Sequence, residues 1–134
     1  MGHVTTRLRI AAWDETSVAE FDDGSKITRA SVTLSEPADG LDGGSVESLM
    51  FYRPDGTSHY VNVMRLTATL EGRSGSFVLS GEGDYDGTTA SGTSVILPDT
   101  ATGDLAGISG TCTSTSTHRD YPYMPLDLTY ELAE

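Results

Sequence analysis

Polar and apolar residues alternate along most of this chain, and clusters of turn-forming residues interrupt the alternation at regular intervals. Asp22-Asp23-Gly24-Ser25 comes first, then a long stretch from Ser35 to Gly44. Arg53-Pro54-Asp55-Gly56 and Glu71-Gly72 follow, and then the regions Gly81 to Gly87, Pro98 to Gly103 and His118 to Pro125. These breaks leave segments at about residues 4–13, 25–34, 45–53, 57–70, 73–82, 85–97, 104–117 and 123–132. Most are rich in Thr, Val, Ile and Tyr, side chains that suit a pleated, half-buried surface. None carries apolar residues at helical spacing between caps, so no helix is predicted. Eight strands of about ten residues and seven loops of about five need roughly 115 residues, which fits a chain of 134. The pattern predicts an all-β fold, and the short links favour an eight-stranded antiparallel up-and-down barrel, one domain over residues 1–134.

Turn chemistry carries the reading to individual side chains. A two-residue type I′ turn at Asp55-Gly56 sets Phe51 opposite Tyr60, Leu49 opposite Asn62 and Glu47 opposite Met64. A similar turn at Glu71-Gly72 sets Leu66 opposite Phe77, Met64 opposite Leu79 and Asn62 opposite Gly81. Opposed residues share a sheet face. The face with Glu47, Leu49, Phe51, Tyr60, Asn62, Met64, Leu66, Phe77 and Leu79 is expected to point inward, and the one with Ser48, Val61, Arg65, Thr67, Thr69, Ser74 and Ser76 outward. A turn at Gly83-Asp84 makes the inward face of the sixth strand Thr88, Ala90, Gly92 and Ser94. Residues 110–117 are small on both faces. An eight-stranded barrel either fills its interior with side chains or holds one small ligand, and two adjacent small-residue strands leave room for a cavity.

Composition narrows the partners. Eight Lys and Arg against 20 Asp and Glu give a net charge of −12, which excludes the simplest phosphate-neutralising nucleic-acid binder and disfavours an anionic membrane surface. No run approaches the roughly 20 apolar residues of a membrane span, and the first residues lack a signal-peptide core. Cys112 is the only cysteine, so no internal disulfide forms and a cytoplasmic, reducing setting is expected. His3, His59 and His118 fall on separate segments without metal-ligand spacing, and no Gly-x-Gly-x-x-Gly turn is present. No metal and no cofactor are expected.

Several stretches resemble a bacterial family of domains of unknown function, family 3224. They are Trp13-Asp14-Glu15, Thr28 to Thr33, Leu49 to Thr57, Leu70-Glu71-Gly72-Arg73-Ser74-Gly75-Ser76-Phe77-Val78-Leu79, Gly87 to Thr93, Gly103 to Gly110 and Leu126 to Leu132. The likeness covers nearly the whole chain, and the Gly-Arg-Ser-Gly-Ser-Phe run is its most specific part. It implies an allene-oxide-cyclase-like β-barrel, a fold in which broader relatives bind a preformed apolar substrate and hold it in a reactive shape. This chain departs from the family pattern where Met64 replaces a common acidic residue and Gly81 a His. Both positions are expected to point inward, which implies a larger and more apolar pocket.

Glu47 is the candidate catalytic residue: a carboxylate on an otherwise apolar inward face is costly unless paired, protonated or used. It acts as a general acid, base or charge stabiliser, or it is a structural partner of Arg29 or Arg53. Phe51, Tyr60, Asn62, Met64, Leu66, Phe77 and Leu79 are the candidate ligand-binding residues, with plain core packing as the alternative for the apolar ones. Trp13, expected to end the first strand, reads as a plug at the barrel end, and Cys112 as a small buried filler. The function expected is binding of an apolar small molecule, with cofactor-free cyclisation or isomerisation by conformational restriction. A non-catalytic carrier and a barrel with a filled interior are the rivals. A homodimer is expected, although the predicted outward face shows no clear apolar patch.

Overall fold

The computed structural model describes residues 2–35, 40–117 and 119–133. Eight antiparallel strands pair in sequence order and the last closes on the first. They are β1 (Gly2–Glu20), β2 (Lys26–Ser35), β3 (Leu41–Tyr52), β4 (Ser58–Leu70), β5 (Arg73–Tyr85), β6 (Thr89–Ile96), β7 (Ser109–Thr117) and β8 (Tyr123–Glu131). The expected up-and-down barrel is the observed one, with a single 3-10 turn at Gly103–Leu105 as its only helical element among the described residues. No described helix is long and apolar enough to cross a membrane.

Three turns set the registers. At Glu71-Gly72 both central residues have positive φ (50° and 80°), the type I′ geometry, and Leu66 opposes Phe77 and Met64 opposes Leu79 as expected. The turn before β4 differs. A two-residue turn at Asp55-Gly56 would make Pro54 and Thr57 the closing pair, and Pro54 has no N–H to give. The loop therefore widens to Pro54-Asp55-Gly56. Arg53 N donates to Thr57 O at 2.8 Å, Gly56 N donates to Arg53 O at 3.0 Å, and Gly56 takes φ 90°. Pro54 sits where a type I turn wants φ near −65°, and Gly56 supplies the left-handed residue after it. The Asp22-Asp23-Gly24 loop repeats this arrangement. Asp23 accepts from Ser25 N, and Asp55 from Thr57 N, each at 2.9 Å.

One extra loop residue moves β3 by one position against β4. Phe51 now opposes His59, Met50 opposes Tyr60, Ser48 opposes Asn62 and Val46 opposes Met64. The expected orientation of β3 is thus reversed, because a one-residue slip exchanges the two faces of a strand. Val46, Ser48, Met50 and Tyr52 turn inward. Glu47, Leu49 and Phe51 turn outward. The β5–β6 turn also lies elsewhere than expected, at Gly87-Thr88 instead of Gly83-Asp84: Tyr85 opposes Ala90 and Gly83 opposes Gly92. The displacement is an even number of residues, so Ala90, Gly92 and Ser94 still face inward.

The interior divides into two halves. In one, Leu8, Leu34, Leu66, Phe77, Leu79, Leu126 and Leu128 are fully or nearly fully buried. The connection from β6 to β7 folds across this end: Thr102 N donates to Ser76 O at 2.8 Å, and Leu105 and Ile108 are buried with the core. The opposite half is open. β1 pairs with β8 only as far as Arg9–Tyr123, while its remainder, past a bulge after Ile10, continues along β2 to Glu20. Asp14 and Glu15 disfavour a strand by propensity, yet pairing with β2 carries β1 through them, so Trp13 lies mid-strand instead of ending it.

Candidate functional site

The open half holds a cavity of about 270 Å³, lined by residues from all eight strands. Its wall is apolar at Ile10, Val32, Val46, Met50 and Met124, and aromatic at Trp13, Tyr52, Tyr60, Tyr85 and Tyr123. Polar groups are few: Ser48, Ser58, Asn62, Ser114 and Ser116. Small side chains on β6 and β7 make the space, as the sequence suggests for Ala90, Gly92 and Ser114.

Tyr60 is held by a row of opposed residues. Across the sheet it meets Gly83, which meets Gly92. A Cβ on Gly83 would collide with the Tyr60 hydroxyl, and one on Gly92 would lie 2.8 Å from it. The two glycines let the ring lie along the inner wall. Burial, reinforced by Asp84, raises the Tyr60 hydroxyl above its ordinary value, so it stays a neutral donor. The next row sets Asn62 against Ser48 on one side and Gly81 on the other. Among the described residues the Asn62 amide has no hydrogen-bond partner, and no buried side-chain N or O is left unsatisfied. The amide therefore opens onto the cavity floor. A pocket of about 40 Å³ continues beneath it, bordered by Met64, Ser94 and Cys112.

At the rim, Glu15 gathers three donors. Trp13 Nε1 donates to its Oε1 at 2.9 Å, while Thr28 Oγ1 and the Tyr52 hydroxyl each donate to its Oε2 at 2.8 Å. Partial burial alone would raise the Glu15 carboxyl, but these hydrogen bonds and Lys26 outweigh it and hold the group below its ordinary value. Burial, and then Glu15 itself, push the Tyr52 hydroxyl up to about 12. The pair is an ionised carboxylate and a protonated phenol. Lys26 Nζ stands 5.2 Å from the centroid of the Tyr52 ring.

Two of the sequence-derived candidates line this cavity, Tyr60 and Asn62. Met64 borders the smaller pocket below. Leu66, Phe77 and Leu79 face inward, but in the closed half, where they are fully buried core. Phe51 lies on the outer surface through the slip imposed by Pro54. Glu47 is outside for the same reason, its side chain 47% exposed; it accepts from Arg29 Nη2 at 2.7 Å and Ser31 Oγ at 2.9 Å. Those two hydrogen bonds, Arg29 first, lower its carboxyl. Glu47 is a surface ion-pair partner with no access to the cavity. Trp13, expected as a plug, is a cavity wall instead.

Tyr52 and Met50 were legible through Pro54, which forbids the shorter turn. Glu15 was not, because its inward direction depends on the bulge after Ile10. Burial pushes the Cys112 thiol up to about 11, leaving a buried, protonated filler. His3 pairs with Asp127, and His59 with Asp84 and Glu82, all on the outer surface; His118 lies outside the described residues. Among the described residues, no three potential metal ligands converge.

The outer surface has its own concavity of about 920 Å³ across β3 to β6, wide open to solvent. Leu49, Val61, Val63 and Val95 occupy it, each 44–50% exposed. The apolar patch not foreseen from the sequence exists because the slip turns Leu49 outward beside Val61.

These features define a closed up-and-down β-barrel with a packed half and an aromatic-lined cavity in the other. The chain belongs to the DUF3224 family, proteins of unknown function, whose family model matches residues 4–130. Among solved structures it is similar to a DUF3224 protein of unknown function from Shewanella oneidensis MR-1, at 17% identity and a TM-score of 0.71. That similarity covers 99% of this chain and 100% of the other; at such identity it establishes the fold. Comparison with curated proteins finds no match.

Proposed function

We propose that this protein binds an apolar small molecule in the open half of the barrel. The observation that carries the reading is the 270 Å³ cavity, close to the lower end of ligand-site volumes and built as such sites are, from apolar and aromatic walls with a few convergent polar groups. The outer concavity is larger but lies wide open to solvent, so it does not enclose a small molecule. Tyr60 and Asn62 orient the ligand with one hydroxyl and one amide. The resemblance to allene-oxide-cyclase-like barrels supports cofactor-free cyclisation or isomerisation as the activity, with the rate gained by restricting the substrate to one conformer. With Glu47 outside, the Glu15–Tyr52 pair is the acid–base chemistry within reach. Simple carriage needs only the cavity, and it is the reading that turnover must displace.

Thermal unfolding across a library of apolar small molecules tests the proposal. A ligand that binds only the folded state at 100 times its Kd adds about 2.7 kcal/mol, a shift of several degrees for a chain of this size. No shift across the library contradicts it. A relative from a bacterium and a lone buried thiol support a bacterial, cytoplasmic protein. We also propose that a second copy covers the outer apolar face. Four strands of about twelve residues offer roughly 760 Å², near the 800 Å² or so per partner of a stable interface.

A further inference from the structure

We propose that the ligand carries a positive charge: the cavity selects an apolar amine or quaternary ammonium ion over neutral or anionic molecules. This rests on the reading of the cavity as a ligand site and adds the ligand's charge to it. The sole tryptophan of the chain and four of its six tyrosines, Trp13, Tyr52, Tyr60, Tyr85 and Tyr123, line the one cavity. Aromatic faces carry negative quadrupole charge, and rings converging on one space recognise organic ammonium ions. The ionised Glu15 carboxylate is hydrogen-bonded to two lining residues, Trp13 and Tyr52. It therefore adds a full negative charge at the rim.

The structure already uses one of these rings this way. Two cation–ring contacts are present among the described residues: Lys26 on Tyr52 at the rim, and Arg7, from the exposed face of β1, on Tyr123 at 4.8 Å. Lys26 is thus a tethered competitor for the place a ligand ammonium would take beside Tyr52 and Glu15. None of the lining residues is cationic. The net charge of −12 adds a long-range field that concentrates cations and repels carboxylates.

The test compares benzyltrimethylammonium with its uncharged carbon isostere, neopentylbenzene, and with 4-phenylbutyrate, following the methyl NMR signals of Met50 and Met124. The cation is expected to bind at least tenfold tighter than the isostere, and the anion weakest. Glu15→Gln should weaken the cation about tenfold and leave the isostere unchanged, while Lys26→Met should strengthen the cation. High salt should weaken only the cation. If the isostere binds as well as the cation in the unmodified protein, the charge inference is overturned and the apolar-ligand reading survives. If none of the three moves the Met50 and Met124 signals, both fall. The cation-to-isostere ratio decides the matter even if Glu15→Gln fails to fold.

Discussion

Glu47 and Glu15 show how a single carboxylate is judged by its neighbours. Glu47 draws attention as a carboxylate in the middle of a strand, yet its partner is a solvent-exposed Arg29. Exposed pairs of this kind contribute little to stability, because solvent and salt screen them. Glu47→Gln is expected to leave ligand affinity unchanged within twofold by calorimetry. Glu15 carries the opposite expectation. Its folded carboxyl lies below the ordinary 4.5, so the stability it adds is complete above about that pH and is lost as pH falls through the lower folded value. Urea unfolding should find Glu15→Gln less stable by about 1 kcal/mol at pH 7, with the gap closing toward pH 3. Gly83 offers a third test. A methyl group there meets the Tyr60 hydroxyl and Ser91 O, and overpacking of this sort costs about 1–3 kcal/mol. Gly83→Ala is expected to lower stability by that amount in the same assay, and Tyr60→Phe to recover only part of it, because Ser91 O remains.

Among the elements, strand identity was legible almost throughout, and strand orientation only where turn chemistry was read completely. Residues 71–72 form the two-residue turn that their sequence suggests, so β4 and β5 face as expected and Tyr60, Asn62, Met64 and Phe77 point inward. At 53–57 the Asp-Gly pair suggested the same turn, but the preceding proline could not close it. That residue alone exchanged the faces of β3, taking Glu47 and Phe51 out of the interior and bringing Ser48, Met50 and Tyr52 into it. The length of β1 was hidden differently. Asp14 and Glu15 read as a strand end, whereas the backbone hydrogen bonds of β2 continue past them, and the bulge after Ile10 aims Trp13 and Glu15 inward. Long-range pairing of this kind leaves no local signature. The Gly56 φ of 90° supports the three-residue loop, and Gly56→Ala should cost about 1 kcal/mol in chemical denaturation without changing the β3–β4 pairing seen in backbone NMR.

Taken as a whole, the molecule separates a packed half from an open one along the barrel axis. Leucines, Phe77 and the β6–β7 connection fill one half, and a truncation there such as Leu66→Ala should cost about 2–5 kcal/mol. In the other half small side chains on β6 and β7 leave space that the aromatic side chains border without filling. The outer apolar face belongs to this scale too. Val61→Glu should shift the sedimentation coefficient from dimer to monomer at micromolar concentration while leaving the melting of the barrel core intact; an unmodified protein that sediments as a monomer at all concentrations contradicts the proposed pairing. The claim on which the functional reading depends is that the open half admits a ligand. Trp13, the only tryptophan, lines that space and reports on it. Titration with the uncharged apolar probe N-phenyl-1-naphthylamine is expected to quench Trp13 emission along a saturable one-site curve, and Ser114→Phe, which fills the cavity, should abolish the quenching. A non-saturating response, or the same curve in a folded Ser114→Phe variant, would contradict the account.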